Sequence, residues 1–219
     1  MGASALDPDL EPGDEVTVES RVESSTAEAI PDNNRMQVAL ALLPAADFQV
    51  TSLEEGSELS PGDGVCAAER GCTLRAAVEE ANALPGAQTI ALGYGVHQLN
   101  TQEGGQGLRA TSQPLVVTDA LTVTGLSPDR SILNANGQSR VFQVEGASLS
   151  LDSLMISGGA VSGDDGGGVL IVNGTLHLNQ VAVTGNRARN GGGVMVQASA
   201  VTVRRSAFTG NRTVPVEGQ

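Results

Sequence analysis

Two stretches of this chain are the same pattern displaced by 25 residues without drift. G-G-G-V at 166–169 returns at 191–194, and T-G-N-R at 184–187 returns at 209–212. When the copies are overlaid, Val169 falls on Val194, Ile171 on Val196, Leu176 on Val201, Leu178 on Val203 and Val183 on Phe208. Each match is apolar on apolar, while the positions between are mixed: His177 falls on Thr202 and Asn179 on Arg204. Such alternation marks short strands with one buried face. The pattern extends backward less evenly. L-S-L at 149–151, with Leu154 and Ile156, matches L-H-L at 176–178, with Val181 and Val183, at a shift of 27. L-T-V-T-G at 121–125 matches again 28 residues earlier. The differences belong in turns such as G-A-V-S-G-D-D-G at 159–166.

A repeat of this length is too short for a propeller blade and lacks both helical spacing and the L-x-x-L-x-L of leucine-rich repeats. What remains is an all-β parallel solenoid, each coil stacking its inward Val, Leu and Ile on the coil below. Roughly five coils are expected between about 87 and 213. Asn186 and Asn211 are expected to stack at one corner, their amides satisfying backbone groups that the turn leaves unpaired.

Residues 72–84 read differently. Leu74, Ala77, Val78, Ala81 and Leu84 share one helical face, Thr73 is placed to cap it, and Pro85-Gly86 ends it. A short helix ahead of a solenoid serves as a lid for its first open edge and core end. Cys66 and Cys72 lie six apart, wider than a redox C-x-x-C. His97 and His177 are too isolated to complete a zinc site and read as surface or half-buried positions. A local disulfide is the expectation, and with it an oxidising compartment.

Composition removes several alternatives. No apolar run reaches 18 residues, so membrane insertion is not expected. A net charge of −13 does not suit a nucleic-acid binder, and 2% aromatics disfavour a stacking platform. The charge is uneven: residues 1–64 carry 14 acidic and 2 basic side chains, leaving 11 and 10 for residues 65–219. The two regions are therefore read separately.

C-T-L-R-A-A-V-E-E-A-N at 72–82 followed by A-Q-T-I at 87–90, with G-D-G-V-C at 62–66 ahead of them, resembles the CSLREA domain of bacterial surface proteins. S-R-V-F at 139–142 and the repeated G-G-G-V and T-G-N are similar to that family's coils and to polymorphic outer-membrane-protein repeats. The resemblance covers about 47–213, departing at Ala76 and Gln88, where the family carries acidic residues. It implies a right-handed parallel β-helix of the pectin-lyase-like kind, in a secreted or surface-displayed protein. P-A-A-D-F-Q-V-T at 44–51 is similar to the junction that follows immunoglobulin-like repeats of bacterial surface proteins. The organisation expected is thus an immunoglobulin-like remnant at 1–46 (a hairpin or loose chain), a lead-in with disulfide loop and capping helix at 47–86, and solenoid coils at 87–219. Both ends read as those of a fragment of a longer protein.

Two groups of residues invite chemistry. Asp164 and Asp165, in the corner S-G-D-D-G-G-G, are weak candidates for calcium or for a carboxylate pair of a solenoid glycosidase. The equivalent turn at 188–190, A-R-N, carries no carboxylate, and the chain contains no Lys, so a solvated acidic turn is expected. Arg187, Arg189, Arg204, Arg205 and Arg212 form a basic cluster with no Asp or Glu from 187 to 212. Guanidinium groups in such a ladder can hold an anionic glycan or phosphates by bidentate contacts, unless acidic neighbours absorb them. The function expected is structural or adhesive, at the cell surface or outside it, with no cofactor and an anionic glycan or surface ligand as partner. End-to-end self-association is a further expectation, because an uncapped coil exposes strand edges. The alternative is a polysaccharide lyase or glycoside hydrolase, which requires carboxylates clustered across adjacent coils.

Overall fold

The structure is a computed structural model that describes residues 15–21, 35–41, 43–99 and 113–214. In the first region, β1 (Glu15–Arg21) pairs antiparallel with β2 (Arg35–Ala41), Val18 opposite Val38. The remainder of the 1–46 region expected as an immunoglobulin-like remnant lies outside the described residues except for 43–46, as does the chain beyond Val214.

From Phe48 onward the chain is a parallel β-helix. The lead-in is β3 (Phe48–Val50), then the one helix, α1 (Leu74–Ala83), then β4 (Gln88–Leu92) and β5 (Gly95–Gln98). Four three-stranded coils follow: β6 (Leu115–Val117), β7 (Leu121–Thr124) and β8 (Ser131–Asn134); β9 (Phe142–Glu145), β10 (Ser148–Asp152) and β11 (Met155–Ser157); β12 (Val169–Val172), β13 (Thr175–Asn179) and β14 (Ala182–Thr184), with the short β15 (Arg187–Ala188); and β16 (Val194–Gln197), β17 (Ala200–Arg204) and β18 (Ala207–Thr209), with β19 (Arg212–Thr213). The strands assemble into three parallel faces. Face one runs β3-β4-β7-β10-β13-β17, face two β5-β8-β11-β14-β18, and face three β6-β9-β12-β16.

The repeat register is the hydrogen-bonding register. Val169 pairs with Val194, Leu176 with Val201, Leu178 with Val203 and Val183 with Phe208. The shifts of 27 and 28 hold as well: Leu149 pairs with Leu176 and with Leu121. Alternate residues therefore line up as inward columns, such as Val123–Leu151–Leu178 and Phe142–Val169, all buried. Each such Leu or Val contributes about 1.5–3 kcal/mol relative to exposure. The triple-glycine corners have a steric cause. A Cβ on Gly167 would lie 2.4 Å from the Gly192 carbonyl oxygen and 2.5 Å from that of Arg187, so stacked corners leave no room for a side chain.

The helix closes the first coil. Thr73 Oγ1 accepts the Ala76 N–H at 3.0 Å and caps it. Leu74, Ala77, Val78 and Ala81 join one core with Ile90, Leu92 and Leu115. No helix of the described residues is long and apolar enough to cross a membrane.

His97 differs from expectation: it is 2% exposed rather than at the surface. It pairs with Leu133 and so occupies the inward column continued by Ile156 and Val183. Burial pushes its pKa below the ordinary histidine value, and among the described residues its Nδ1 has no hydrogen-bond partner. The fold accepts the neutral ring, whereas the unfolded chain titrates near ~6.5. Proton uptake by the unfolded chain therefore erodes stability as pH falls below ~6.5, until the lower folded-state value is reached. His97→Leu, which matches its column, is expected to flatten the fall in urea-unfolding free energy between about pH 7 and 5. An unchanged slope would assign the acid loss to other groups.

Candidate functional site

The arginines grouped by sequence divide into two sets. Arg189 is engaged: its Nε donates to Asp165 Oδ1 at 3.1 Å, beside Asn190 Nδ2 donating to the same oxygen at 2.9 Å. Asp164 is engaged by Arg140, whose Nη2 also donates to the Asp165 carbonyl oxygen at 3.1 Å. Arg140 Nη1 reaches Gln143 Oε1 at 2.6 Å, and Arg140 is itself buried. The acidic turn is thus a clamp between consecutive coils rather than a solvated corner. Both carboxyls are held below the usual range. At Asp164 the cause is first the Asp165 N–H and then Arg140; at Asp165 it is first Arg189 and then Asn190. Among the described residues no three His, Cys, Asp or Glu side chains come together, so the two aspartates weighed as calcium ligands gain no third.

Arg187, Arg204, Arg205 and Arg212 make no ion pair among the described residues. Arg187 pairs directly with Arg212, β15 against β19, as the 25-residue shift requires. Arg204 ends β17, and Arg205 makes the next corner with φ 48°. Ser153 and Gln180 make the same corner in earlier coils, both with φ 53°. Outward residues of face one form two polar columns, Thr122–Ser150–His177–Thr202 and Thr124–Asp152–Asn179–Arg204. Asn179 Nδ2 donates to Asp152 Oδ2 at 2.7 Å along the second. Two cavities follow these columns and share His177 and Asn179. One, of about 870 Å³, holds Thr202, Arg204 and Arg205; the other, of about 490 Å³, holds Thr122, Ser150 and Asp152. They adjoin at His177 and Asn179 and make a groove along face one that ends in two arginines. Among the described residues, Asp152 is the single carboxylate lining it.

Three groups escaped the sequence. The Cys66–Cys72 disulfide, with a Cα–Cα distance of 5.2 Å, was expected; the carboxylates that shape its loop were not. Buried Glu80 accepts the N–H groups of Gly62 and Gly64 at 2.6 and 2.5 Å. Glu58 accepts those of Leu59, Ser60 and Ala67 at 2.8, 3.2 and 2.7 Å. Buried Arg75 pairs with Glu55 and donates to the carbonyls of Gln113 and Pro114. A carboxylate bonded to loop amides leaves no periodic trace in a sequence.

Fold and groove together define a parallel β-helix protein with a helical cap and a polar, arginine-ended face. No protein-family model matches the chain. No curated protein matches it either, and neither does any solved structure.

Proposed function

We propose that this chain is a structural and adhesive module of an extracellular or cell-surface protein, and that face one binds anionic glycan. The observation that carries the reading is the set of arginines that make no ion pair among the described residues, Arg204 and Arg205 in the groove and Arg187 stacked on Arg212 at the next corner. Guanidinium groups that lack internal carboxylates favour external sulfate or carboxylate groups, which they hold bidentately. The coil supports the reading because it presents such groups at a fixed spacing, so weak contacts to a repeating polymer add up. The disulfide suits an oxidising compartment, and the resemblance of residues 72–90 to CSLREA domains points the same way. With these arginines included, residues 65–219 carry 11 acidic against 10 basic side chains, whereas residues 1–64 carry 14 against 2, so the acidic excess of the chain lies mostly ahead of the solenoid.

The test is retention on immobilised heparin. The wild-type chain is expected to bind at low salt and elute before about 1 M NaCl, where the Debye length is ~3 Å. The double variants R204S/R205S and R187S/R212S are each expected to elute earlier, and the fourfold variant to pass through unretained. Equal retention of all four proteins would sink the glycan reading.

A further inference from the structure

The corner between faces two and three differs in length from coil to coil. Seven residues (135–141) join β8 to β9, eleven (158–168) join β11 to β12, and nine (185–193) join β14 to β16. The longest of the three leaves the stacking register at one point. Ala160 bridges Arg187 at a shift of 27. Beyond it, the Arg189 N–H donates to the Asp164 carbonyl at 2.8 Å and Val169 pairs with Val194, both at a shift of 25. Ser162 and Gly163, exposed between these points, are the two extra residues. In a solenoid, such insertions map to loops on one face, often the binding face.

Pro114, Gln138, Arg140, Val161, Ser162 and Asp164 line a cavity of about 320 Å³ at this corner. Its two charged side chains offset one another. Arg140 is 6% exposed, and its guanidinium is fixed by Gln143 Oε1 at 2.6 Å, by the Asp165 carbonyl at 3.1 Å and by the Asp164 carboxylate. Its Nε is buried and has no acceptor among the described residues. The Asp164 side chain is 60% exposed. Its oxygens keep lone pairs beyond those used by Arg140 and by the Asp165 N–H at 2.8 Å.

We infer that this corner binds one neutral sugar ring, whose hydroxyl groups donate to Asp164 and accept from Arg140. A cation meets the buried guanidinium, and an anion meets the Asp164 carboxylate, so either is opposed by a fixed charge. An apolar ligand strips water from both groups and returns no hydrogen bond. A hydroxyl group donates and accepts, and so serves the carboxylate and the leftover N–H together. Gln138 and Ser162 add an exposed amide and hydroxyl, while Pro114 and Val161 add apolar surface for the C–H face of the ring. The volume lies at the lower end for ligand sites, which suits one ring rather than a length of polymer. The site is separate from the arginines of face one and does not rest on the anionic-glycan reading.

Saturation-transfer NMR on the full 219-residue chain tests it. The probes are the methyl glycosides of glucose, galactose, mannose and xylose, with glucuronate and glucosamine as charged counterparts. A ring held by a few hydrogen bonds has a Kd on the order of millimolar, so each probe is titrated to ~50 mM. At least one neutral glycoside is expected to receive saturation, more strongly than either charged sugar. Asp164→Asn keeps the shape but turns an acceptor into a donor, and is expected to weaken binding about tenfold. Deleting Ser162 and Gly163 gives the corner the length of its neighbour, and is expected to abolish binding with an unchanged circular dichroism spectrum. R204S/R205S should keep the full signal. No transfer to any neutral probe, transfer that survives both corner variants, or a charged sugar bound more tightly than the neutral ones overturns the inference. Heparin retention tests face one independently of this result.

Discussion

Replacing Asn186 with alanine is expected to cost about 3–5 kcal/mol of unfolding free energy, because buried groups lose their partners at ~1–3 kcal/mol each. Asn186 is fully buried at a solenoid corner. Its Oδ1 accepts the Gly159 N–H at 2.8 Å, and its Nδ2 donates to the Ile156 carbonyl at 3.2 Å and to Asn211 Oδ1 at 3.0 Å. Asn211 Oδ1 also accepts the Asn186 N–H at 3.0 Å, which links the two asparagines into a ladder. Alanine leaves Gly159 and Ile156 unpaired inside the corner, where water does not reach. At about 2–4 °C per kcal/mol for a chain of this size, the melting temperature should fall by ~10 °C. Asn211→Ala serves as the internal comparison. It removes the amide that accepts the Asn186 N–H and Nδ2 and donates to the Val183 carbonyl, but from a half-buried position where water can take its place. Its cost should be less than half as large. Thermal melts showing equal losses, or a loss below ~1 kcal/mol at Asn186, would mean that the corner is held by its glycines and not by the ladder.

Glu80→Ala is expected to release the disulfide loop, at a local cost of about 3–5 kcal/mol for two charge-assisted bonds. The carboxylate sits inside a turn whose Gly62 and Gly64 have φ of +96° and +83° and aim their N–H groups at it. The loop from Gly56 to Cys72 adds no strand to the three faces. Its opening is therefore expected to be local, with the coils intact. Limited proteolysis under non-reducing conditions should cut the variant between residues 56 and 72 about a hundredfold to a few thousandfold faster than the wild type, as tenfold per ~1.4 kcal/mol requires. Glu80→Gln keeps one acceptor oxygen and should fall between the two. Identical cleavage of all three proteins would place the loop's stability in the disulfide alone.

The coil was legible because solenoid stacking repeats one physical demand at a fixed interval. Val169 on Val194 and Leu176 on Val201 are adjacent in the sheet for the same reason that they align in sequence. The asparagine ladder and the Thr73 cap were legible on the same terms, each residue type answering a local backbone need. The count differs: among the described residues the first turn carries β4 and β5, and four three-stranded coils follow it, against the roughly five coils expected. His97 was misread because its parity becomes visible only once Leu133 is recognised as its column neighbour. The clamp of Arg140 and Arg189 on Asp164 and Asp165 was hidden by its spacing. Its partners are 24 residues apart, three off the local register of 27 for Arg140 and Asp164 and one off the register of 25 for Asp165 and Arg189, and meet because corner side chains reach diagonally. The Glu58 and Glu80 loops answer to main-chain amides, which every sequence has.

The most direct measurement of the central claim is incubation of the wild-type chain with acidic and neutral polysaccharides, with Ca²⁺ present. Salt-dependent retention is read on each polymer, and mass spectrometry reads the recovered glycan. The account predicts retention of the acidic polymers alone, lost at high salt and in the fourfold arginine variant, with every polymer recovered at its original length. New oligosaccharides, or retention indifferent to both salt and the four arginines, would contradict it.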